Sequence, residues 1–468
     1  MTQVQANIRD YRGKRVHMIG IGGSSMSGLA RMLVEKGYQV TGSDRTEGYL
    51  IGSVRDCGAT VMIGHRAENV HGADLVVYTG AAGEDNPERA EARRLGIPQI
   101  ERSVLLGQLM EGFPWSVGIC GAHGKTTTTS MLSQMLVELG MDPSVHIGGV
   151  LDAIGGSTRI GKSGIFLAEA CEFRRSFLEM KPTMELVLNI DADHLDCYRD
   201  IDEIEETFGT FMNLLPEDGV LIGNGDDVRV LRRMLKAKCR KVTFGFEKGN
   251  DVHPEDLTED AEGYASFRLV CDGEEKGTVH MGVPGMFNVK NALASLAAAW
   301  VLQADMEKAC GIAGKFIGAH RRFEKTGELN GAELFHDYGH NPEEMKNALS
   351  IARKRCKGRL VAVMQPHTFS RVRALFDEYL TCTGVADVTL VTDICAAREK
   401  DPGDLHSGML VDGMKEHGID AHWTPSFDDT EKWLRENLRP GDLAITMGCG
   451  DINMLNQQIR EHEAAAQG

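Results

Sequence analysis

Short apolar runs recur along this chain, each followed by a glycine-rich or polar loop and then by apolar residues spaced every three or four positions. That alternation predicts repeated strand–loop–helix units, and hence largely parallel sheets flanked by helices. The first such stretch has a strand at 15–19, a glycine loop at 20–28, a helix through about residue 36 and a second strand at 38–44. Another strand at 74–78 and a helix at 87–95 follow. A second stretch opens with a strand at 115–120 and a helix-patterned segment at 131–139 that stops at Gly140. Its further strands are expected at 164–168, 185–190 and 219–222, with hairpin-like strands in the polar segment 248–277 and a closing helix at about 287–302. The third stretch starts near Gly318, with strands at 333–336, 359–363, 388–391 and 443–446.

The expected fold class is therefore α/β in three domains. Residues 1–107 form a Rossmann-like domain with an acid, Asp44, at the end of its second strand. Residues 108–317 form a central P-loop ATPase-type domain with a mostly parallel sheet, and 318–468 a C-terminal Rossmann-like domain. A chain of 468 residues fits three units at about 150 residues each.

The chemistry concentrates first in Gly121-Ala122-His123-Gly124-Lys125-Thr126-Thr127. A strand, a glycine loop and a helix N-terminus aim backbone N–H groups and the positive helix end at one point, which suits phosphate. Lys125 would reach the terminal phosphates of a nucleotide and the Thr126 hydroxyl would hold Mg²⁺. The loop is shorter than the common one, because Ile119 stands where the first glycine of a longer loop would fall. Two acidic clusters follow expected strands: Glu169 and Glu172 after 164–168, and Asp191-Ala192-Asp193-His194-Leu195-Asp196 after 185–190. In a parallel sheet those positions share the crevice with the phosphate loop, so carboxylates and an imidazole gather where a metal bridges phosphates. Taken singly, Glu169 or Glu172 reads equally well as a solvated loop acid.

Bulk composition narrows the partners. The chain is 42% hydrophobic and 25% charged, with a net charge of −17. That balance argues against nucleic acid and anionic lipid as partners, and no apolar run is long enough for membrane insertion. The first residues lack the basic-then-apolar pattern of a secretory leader, and the 11 cysteines include no C-x-x-C pair. A cytoplasmic protein with reduced thiols is expected.

Several motifs then occur in order: the glycine loop, Glu169 to Phe177, Asn189 to Asp196, Phe287-Asn288 with Asn291, His320-Arg321-Arg322-Phe323, and Asp337-Tyr338-Gly339-His340-Asn341-Pro342. Together they resemble the Mur ligases, ATP-dependent amino-acid-adding enzymes of peptidoglycan synthesis, over nearly the whole chain. The segments Gly20 to Ala30, Gly42-Ser43-Asp44, Asp85 to Glu88 and Gln365-Pro366-His367 are most similar to the member that joins L-alanine to UDP-N-acetylmuramate. The resemblance implies ATP and two Mg²⁺ ions. It gives Lys125 and Thr126 the phosphates and the first ion, makes Glu172 a metal-bridging acid, and gives His194 the second ion. Asn288 and Asn291 would face the adenine side, with Arg322 and Asp337 closing from the third domain. His340, His367 and Arg371 would bind carboxylate or acyl-phosphate oxygens. In the first domain Gly22, Gly23, Ser24, Ser25, Met26 and Ser27 would cradle the UDP diphosphate, with Asp44 near the uridine and His65 near the pyrophosphate.

There are departures from the pattern. Ser25 replaces a frequent third glycine, so a looser helix approach is expected there; Asn341 stands where a second histidine is frequent, and residues 195–212 contain no lysine. The run Phe173-Arg174-Arg175 has no account from sequence. Other readings stay open: a recycling ligase that adds a peptide to UDP-N-acetylmuramate, a folylpolyglutamate synthetase, a nucleotide-gated sensor without catalysis, or a dehydrogenase. The synthetase lacks such a first domain, and the dehydrogenase would share Gly20, Gly22 and Asp44 but has no use for Lys125 and Thr126. The choice between monomer and dimer is open too.

Overall fold

The computed structural model describes residues 6–192, 197–397 and 399–467. Three sheets occur in chain order, each built from a contiguous part of the sequence. The first is wholly parallel, in the spatial order Thr60–Ile63, Gln39–Asp44, Arg15–Ile19, Leu75–Tyr78, Gln99–Glu101. Strand order reverses beside Arg15–Ile19, which opens a crevice at its carboxyl end where the 20–23 loop turns into the helix Ser24–Glu35. Met26, Leu29, Ala30 and Leu33 of that helix are buried against Val16, Met18 and Val40 of the sheet, the three- and four-residue spacing that the sequence displays.

Among the described residues the central sheet has ten strands. Its parallel heart runs Arg240–Phe244, Val220–Asn224, Met184–Val187, Trp115–Cys120, Ile165–Glu169, Ser144–Leu151. The polar segment near 250–280 forms Val252–Glu259, Ala265–Cys271 and Glu274–His280, with antiparallel pairing at that edge, as the weak alternation suggested. The strand beside the phosphate loop's own, Met184–Val187, is shorter than the expected 185–190: after Leu188 donates to the Cys120 carbonyl, Asn189 turns to the His123 backbone and the Ile190 amide donates to Asp227.

The helix after the phosphate loop starts at Lys125, well before the apolar pattern that begins near Met131. Its threonines hide the signal: Thr128 and Thr129 are buried, Thr129 Oγ1 donates to the Lys125 carbonyl at 2.8 Å, and Ser133 Oγ donates to the Thr129 carbonyl. These hydroxyls spend themselves on the preceding helical turn and can enter the core. The helix Met286–Val301 crosses this one. Its run of Ala and Ser allows close approach, and Ser295 Oγ donates to the Thr128 carbonyl at 3.2 Å.

The third sheet is ordered Glu324–Leu329, Ala332–Asp337, Leu443–Met447, Leu360–Met364, Val388–Val391, Ala421–Trp423, parallel apart from its first pair. Leu360–Met364 is buried on both faces, between clusters containing Met345, Leu349 and Met414 on one side and Leu434, Leu455 and Ile459 on the other. The α/β class with mostly parallel sheets agrees with expectation.

Candidate active site

The phosphate loop joins Trp115–Cys120 to the helix Lys125–Glu138. Gly124 has φ +86°, and a Cβ there would lie 2.4 Å from Asn291 Oδ1, so both backbone and space require glycine. Asn189 pins the loop from the neighbouring strand end: the His123 amide donates to its Oδ1 at 2.9 Å, and its Nδ2 donates to the His123 carbonyl at 3.0 Å. Lys125 Nζ lies 2.8 Å from Glu172 Oε1 and also donates to the Gly121 and Ala122 carbonyls. Thr127 lines the adjoining cavity with His123 and Gly124.

Glu169, which ends the strand Ile165–Glu169, and Glu172 beyond it both reach this loop and its helix start. Glu169 accepts from the Thr126 hydroxyl at 3.2 Å and from the Gly148 amide at 2.9 Å; burial pushes its carboxyl up despite those bonds and the nearby Lys125. Of the expected metal set, Thr126 and Glu172 therefore sit around one lysine, whereas His194 lies outside the described residues. No group of three His, Cys, Asp or Glu side chains suited to a metal is assembled among the described residues. The donors that are present, a hydroxyl and two carboxylates, are hard oxygens of the kind Mg²⁺ takes. Cys171, beside Glu172, has its thiol pushed up to about 11, first by burial and then by that carboxylate, which makes it a poor nucleophile.

A cavity of about 800 Å³ opens between the central and third lobes. His123, Gly124, Thr127, Asn288, Asn291, Arg322, Asp337 and Glu344 all contribute to its wall. Asn291 accepts from Thr128 Oγ1 at 3.3 Å and donates to Asn288 Oδ1 at 3.2 Å, while Asn288 donates to the Pro284 carbonyl. Arg322 lies with its guanidinium carbon 4.8 Å from the Tyr338 ring centre. Its neighbours Arg321 and Phe323 both have positive φ, at +66° and +45°. Asp337 braces that turn, accepting from the Phe323 amide at 2.9 Å and the Gly339 amide at 2.7 Å; burial raises its carboxyl.

His340 follows. Its ring stands edge-on to that of His367 with centroids 6.3 Å apart, and Arg371 Nη1 lies 3.2 Å from His367 Nδ1. The three expected carboxylate-binding residues are thus together. Thr368, between the latter two, holds φ +63°, a strained value for a β-branched residue and a mark of a constrained turn. Asn341, in place of a second histidine, caps the helix Pro342–Arg355 by accepting from the Glu344 amide at 2.9 Å.

The first-lobe residues form a separate group. The Gly22 amide donates to Asp44 Oδ2 at 2.9 Å, next to the helix N-terminus formed by Gly23, Ser24, Ser25, Met26 and Ser27. His65 Nδ1 lies 3.0 Å from Ser43 Oγ, which donates to the fully buried Glu88 at 2.6 Å. Burial would raise Glu88, but bonds from His17, Ser43 and Asn69 hold it low. Ser25, which stands in place of the frequent third glycine, uses its hydroxyl between lobes: its Oγ is 2.8 Å from His146 Nε2 of the central lobe and accepts from Arg102 Nη1 at 3.1 Å. The glycine that permits close approach is Gly28, whose Cβ would meet Thr158 Oγ1 at 1.9 Å.

The 173–175 run now has a physical account. Arg174 and Arg175 are consecutive left-handed residues, which splays their side chains: Arg174 donates to the Gly80 carbonyl of the first lobe at 3.1 Å, and Arg175 pairs with Glu203. Asn189, Glu344, Glu88, Arg102 and His146 carry contacts that no sequence motif assigned to them. Asn189 and Glu88 stood inside runs quoted for the resemblance without a contact assigned, and Glu344 had a local signal of its own, standing three residues after Asn341 with Pro342 between, a helix-start pattern.

Family models match this chain in three consecutive segments: the Mur ligase family catalytic domain over residues 15–114, the Mur ligase middle domain over 119–299, and the Mur ligase glutamate ligase domain over 321–450. The UDP-N-acetylmuramate–L-alanine ligase of Acetivibrio thermocellus is 44% identical over 447 residues, 95% of each chain. That of Clostridium beijerinckii is 42% identical over 449 residues, covering 96% of this chain and 97% of the relative. Among solved structures, the UDP-N-acetylmuramate-alanine ligase of Thermotoga maritima superposes with a TM-score of 0.81 at 25% identity, covering 97% of this chain and 99% of that one. A murein peptide ligase from Psychrobacter arcticus shares the fold, with a TM-score of 0.74 at 24% identity over 96% of this chain and 98% of that one.

Proposed function

The chain belongs to the Mur ligase family, and on that premise we propose that it joins L-alanine to the lactyl carboxylate of UDP-N-acetylmuramate, converting ATP to ADP and phosphate. The observation that carries the reading is the phosphate loop, whose Lys125 pairs with Glu172 and whose His123, Gly124 and Thr127 face Arg322 and Asp337 of the third lobe across one cavity, in a chain with full-length likeness to ligases of that name. The work belongs to peptidoglycan precursor synthesis in the cytoplasm. No described helix is long and apolar enough to cross a membrane.

In this reading residues 1–107 hold the UDP-sugar, 108–317 the ATP and 318–468 the amino acid. The loop amides of residues 121–127 and the helix end beneath them receive the triphosphate. Asn288 and Asn291 fix the wall on the adenine side. Lys125 and Arg322 offset charge on the γ-phosphoryl group as the substrate carboxylate attacks it. The product is an acyl phosphate, with ADP leaving. His340, His367 and Arg371 hold the incoming amino acid by its carboxylate, so that its amine adds to the acyl carbonyl and phosphate departs. Mg²⁺ bound by Thr126 and Glu172, with Glu169 beside them and His194 for a second ion, would neutralise phosphate charge. No enzyme nucleophile enters, consistent with the raised thiol of Cys171.

The deciding experiment measures ADP release with Mg²⁺, UDP-N-acetylmuramate and a panel of L-alanine, glycine, L-serine and a tripeptide. Release with L-alanine at low concentration supports the reading. Release with the tripeptide alone would make the chain a recycling ligase, and NAD(P)H oxidation without ATP would make it a dehydrogenase.

A further inference from the structure

One carboxylate in the cleft faces both lobes. Glu344 Oε1 lies 3.2 Å from Nδ1 of His123, in the phosphate loop of the central lobe. Its Oε2 lies 3.2 Å from Nδ1 of His340 in the third lobe and accepts the His340 backbone amide at 3.0 Å. His123 is itself gripped from its other ring nitrogen, Nε2 being 3.4 Å from Asp191 Oδ2. A glutamate in the first turn of a helix commonly folds back on the preceding backbone and caps it, and Oε2 does that here. Capping needs one oxygen and reaches nothing outside its own helix. It gives no reason for Oε1 to meet an imidazole 221 residues away in another lobe. Burial would raise the Glu344 carboxyl, yet His340, His123 and Arg322 together hold it well below the usual range, so the bridge is anionic at neutral pH.

We propose that Glu344 is a positioning residue that couples the two substrate sites: it orients His123 against the nucleotide and His340 against the amino acid, and can do both only with the lobes together. The proposal rests on the ligase reading for the identity of the two ligands. Both His123 and Glu344 line the nucleotide cavity, so a bound triphosphate acts on the bridge from one end. A carboxylate held by His340 acts on it from the other. A shared element biased by two ligands makes each ligand's affinity depend on the other, reciprocally.

The test uses the full chain with Mg²⁺ and β,γ-imido-ATP for nucleotide affinity by calorimetry, and steady-state turnover for the KM of L-alanine. Glu344→Gln keeps the helix cap but loses one of two acceptors. It is expected to raise the Kd of the analogue about fivefold and the KM of L-alanine about tenfold, with an unchanged melting midpoint. His123→Ala is expected to raise the KM of L-alanine as well, although it leaves the third lobe untouched. The double variant is expected to bind the analogue no worse than the poorer single variant. Glu344→Gln constants within twofold of the parent, an L-alanine KM unmoved by His123→Ala, or multiplying effects in the double variant would each overturn the proposal. Should Glu344→Gln fold poorly, the His123→Ala arm decides. Analogue binding needs no turnover, so a parent chain inactive with L-alanine would count against the ligase reading and leave the non-additivity measurement intact.

Discussion

The Lys125 ammonium lies 2.8 Å from the Glu172 carboxylate, with side-chain exposures of only 16% and 3%. Removing the lysine alone leaves a carboxylate buried beside two backbone carbonyls that have lost their donor. Lys125→Ala is expected to lower ADP release by at least about a hundredfold and to lower the urea midpoint too. Adding Glu172→Gln should recover the midpoint and none of the turnover. A double variant that regains turnover would remove both residues from phosphoryl transfer.

His146 ties the first two lobes together, bonded to Ser25 through Nε2 and, through Nδ1, 3.2 Å from Thr158 Oγ1. Burial, aided by Arg102, drops its pKa from 6.5 to about 3. Below pH 6.5 the unfolded chain takes a proton that the folded chain refuses, so the stability this residue contributes is present above 6.5 and lost as pH falls towards 3. His336 behaves likewise and titrates in the same window. His146→Gln should therefore make the loss of stability between pH 6 and 4.5 shallower by about 1.4 kcal/mol per pH unit. Urea melts at several pH values give that slope, and an unchanged slope would mean the imidazole is protonated in the folded chain.

Glu185 is a fully buried carboxyl in Met184–Val187 whose two oxygens have no hydrogen-bond partner. Its strand neighbours are Gly118 and Leu221, and burial holds its pKa well above 4.5. A raised carboxyl contributes its share below pH 4.5 and loses it as pH climbs towards the folded value. Glu185→Met, similar in volume, is expected to stabilise the chain by about 1–3 kcal/mol at pH 8. The gain should be smaller at pH 5. A destabilised variant would reveal a partner for that carboxyl.

Gly28 sits inside the helix Ser24–Glu35, where alanine would ordinarily gain about 1 kcal/mol from helix propensity. The 1.9 Å approach to Thr158 Oγ1 reverses the sign. Gly28→Ala is expected to cost about 1–3 kcal/mol by overpacking, and Thr158→Ala in the same chain to return part of it. Calorimetric melting of the parent, the single and the double variant checks the order.

How much of this was legible depends on the distance over which each residue acts. Trp115–Cys120 and the glycine loop after it were readable because strand, loop and helix start adjoin in the chain. Met286–Val301 was equally plain, since its apolar residues run through the whole helix. The apolar pattern shows the helix only from Met131, because Thr126 to Thr129 look polar until the hydroxyls are seen bonded: Thr126 to Glu169, Thr128 to Asn291 and Thr129 to the Lys125 carbonyl. Thr60–Ile63 and Gln99–Glu101 went unseen as short edge strands, the first without a buried residue. At the site, Lys125, Glu172 and Arg322 stood in recognisable runs. The Glu344–His123 and Ser25–His146 contacts join residues more than a hundred positions apart, and no local pattern encodes such a pair.

Among the described residues no strand of any sheet is borrowed from another: residues 15–101, 115–280 and 324–447 supply the three in turn. A chain emerging from the ribosome can thus complete each lobe before the next is made. The phosphate loop and the strands beside it are made before Arg322, Asp337 and Glu344 exist to face them. Until Leu443–Met447 is made, the third sheet lacks the strand that joins Ala332–Asp337 to Leu360–Met364, so a nascent chain has no finished lobe to present those residues to the phosphate loop.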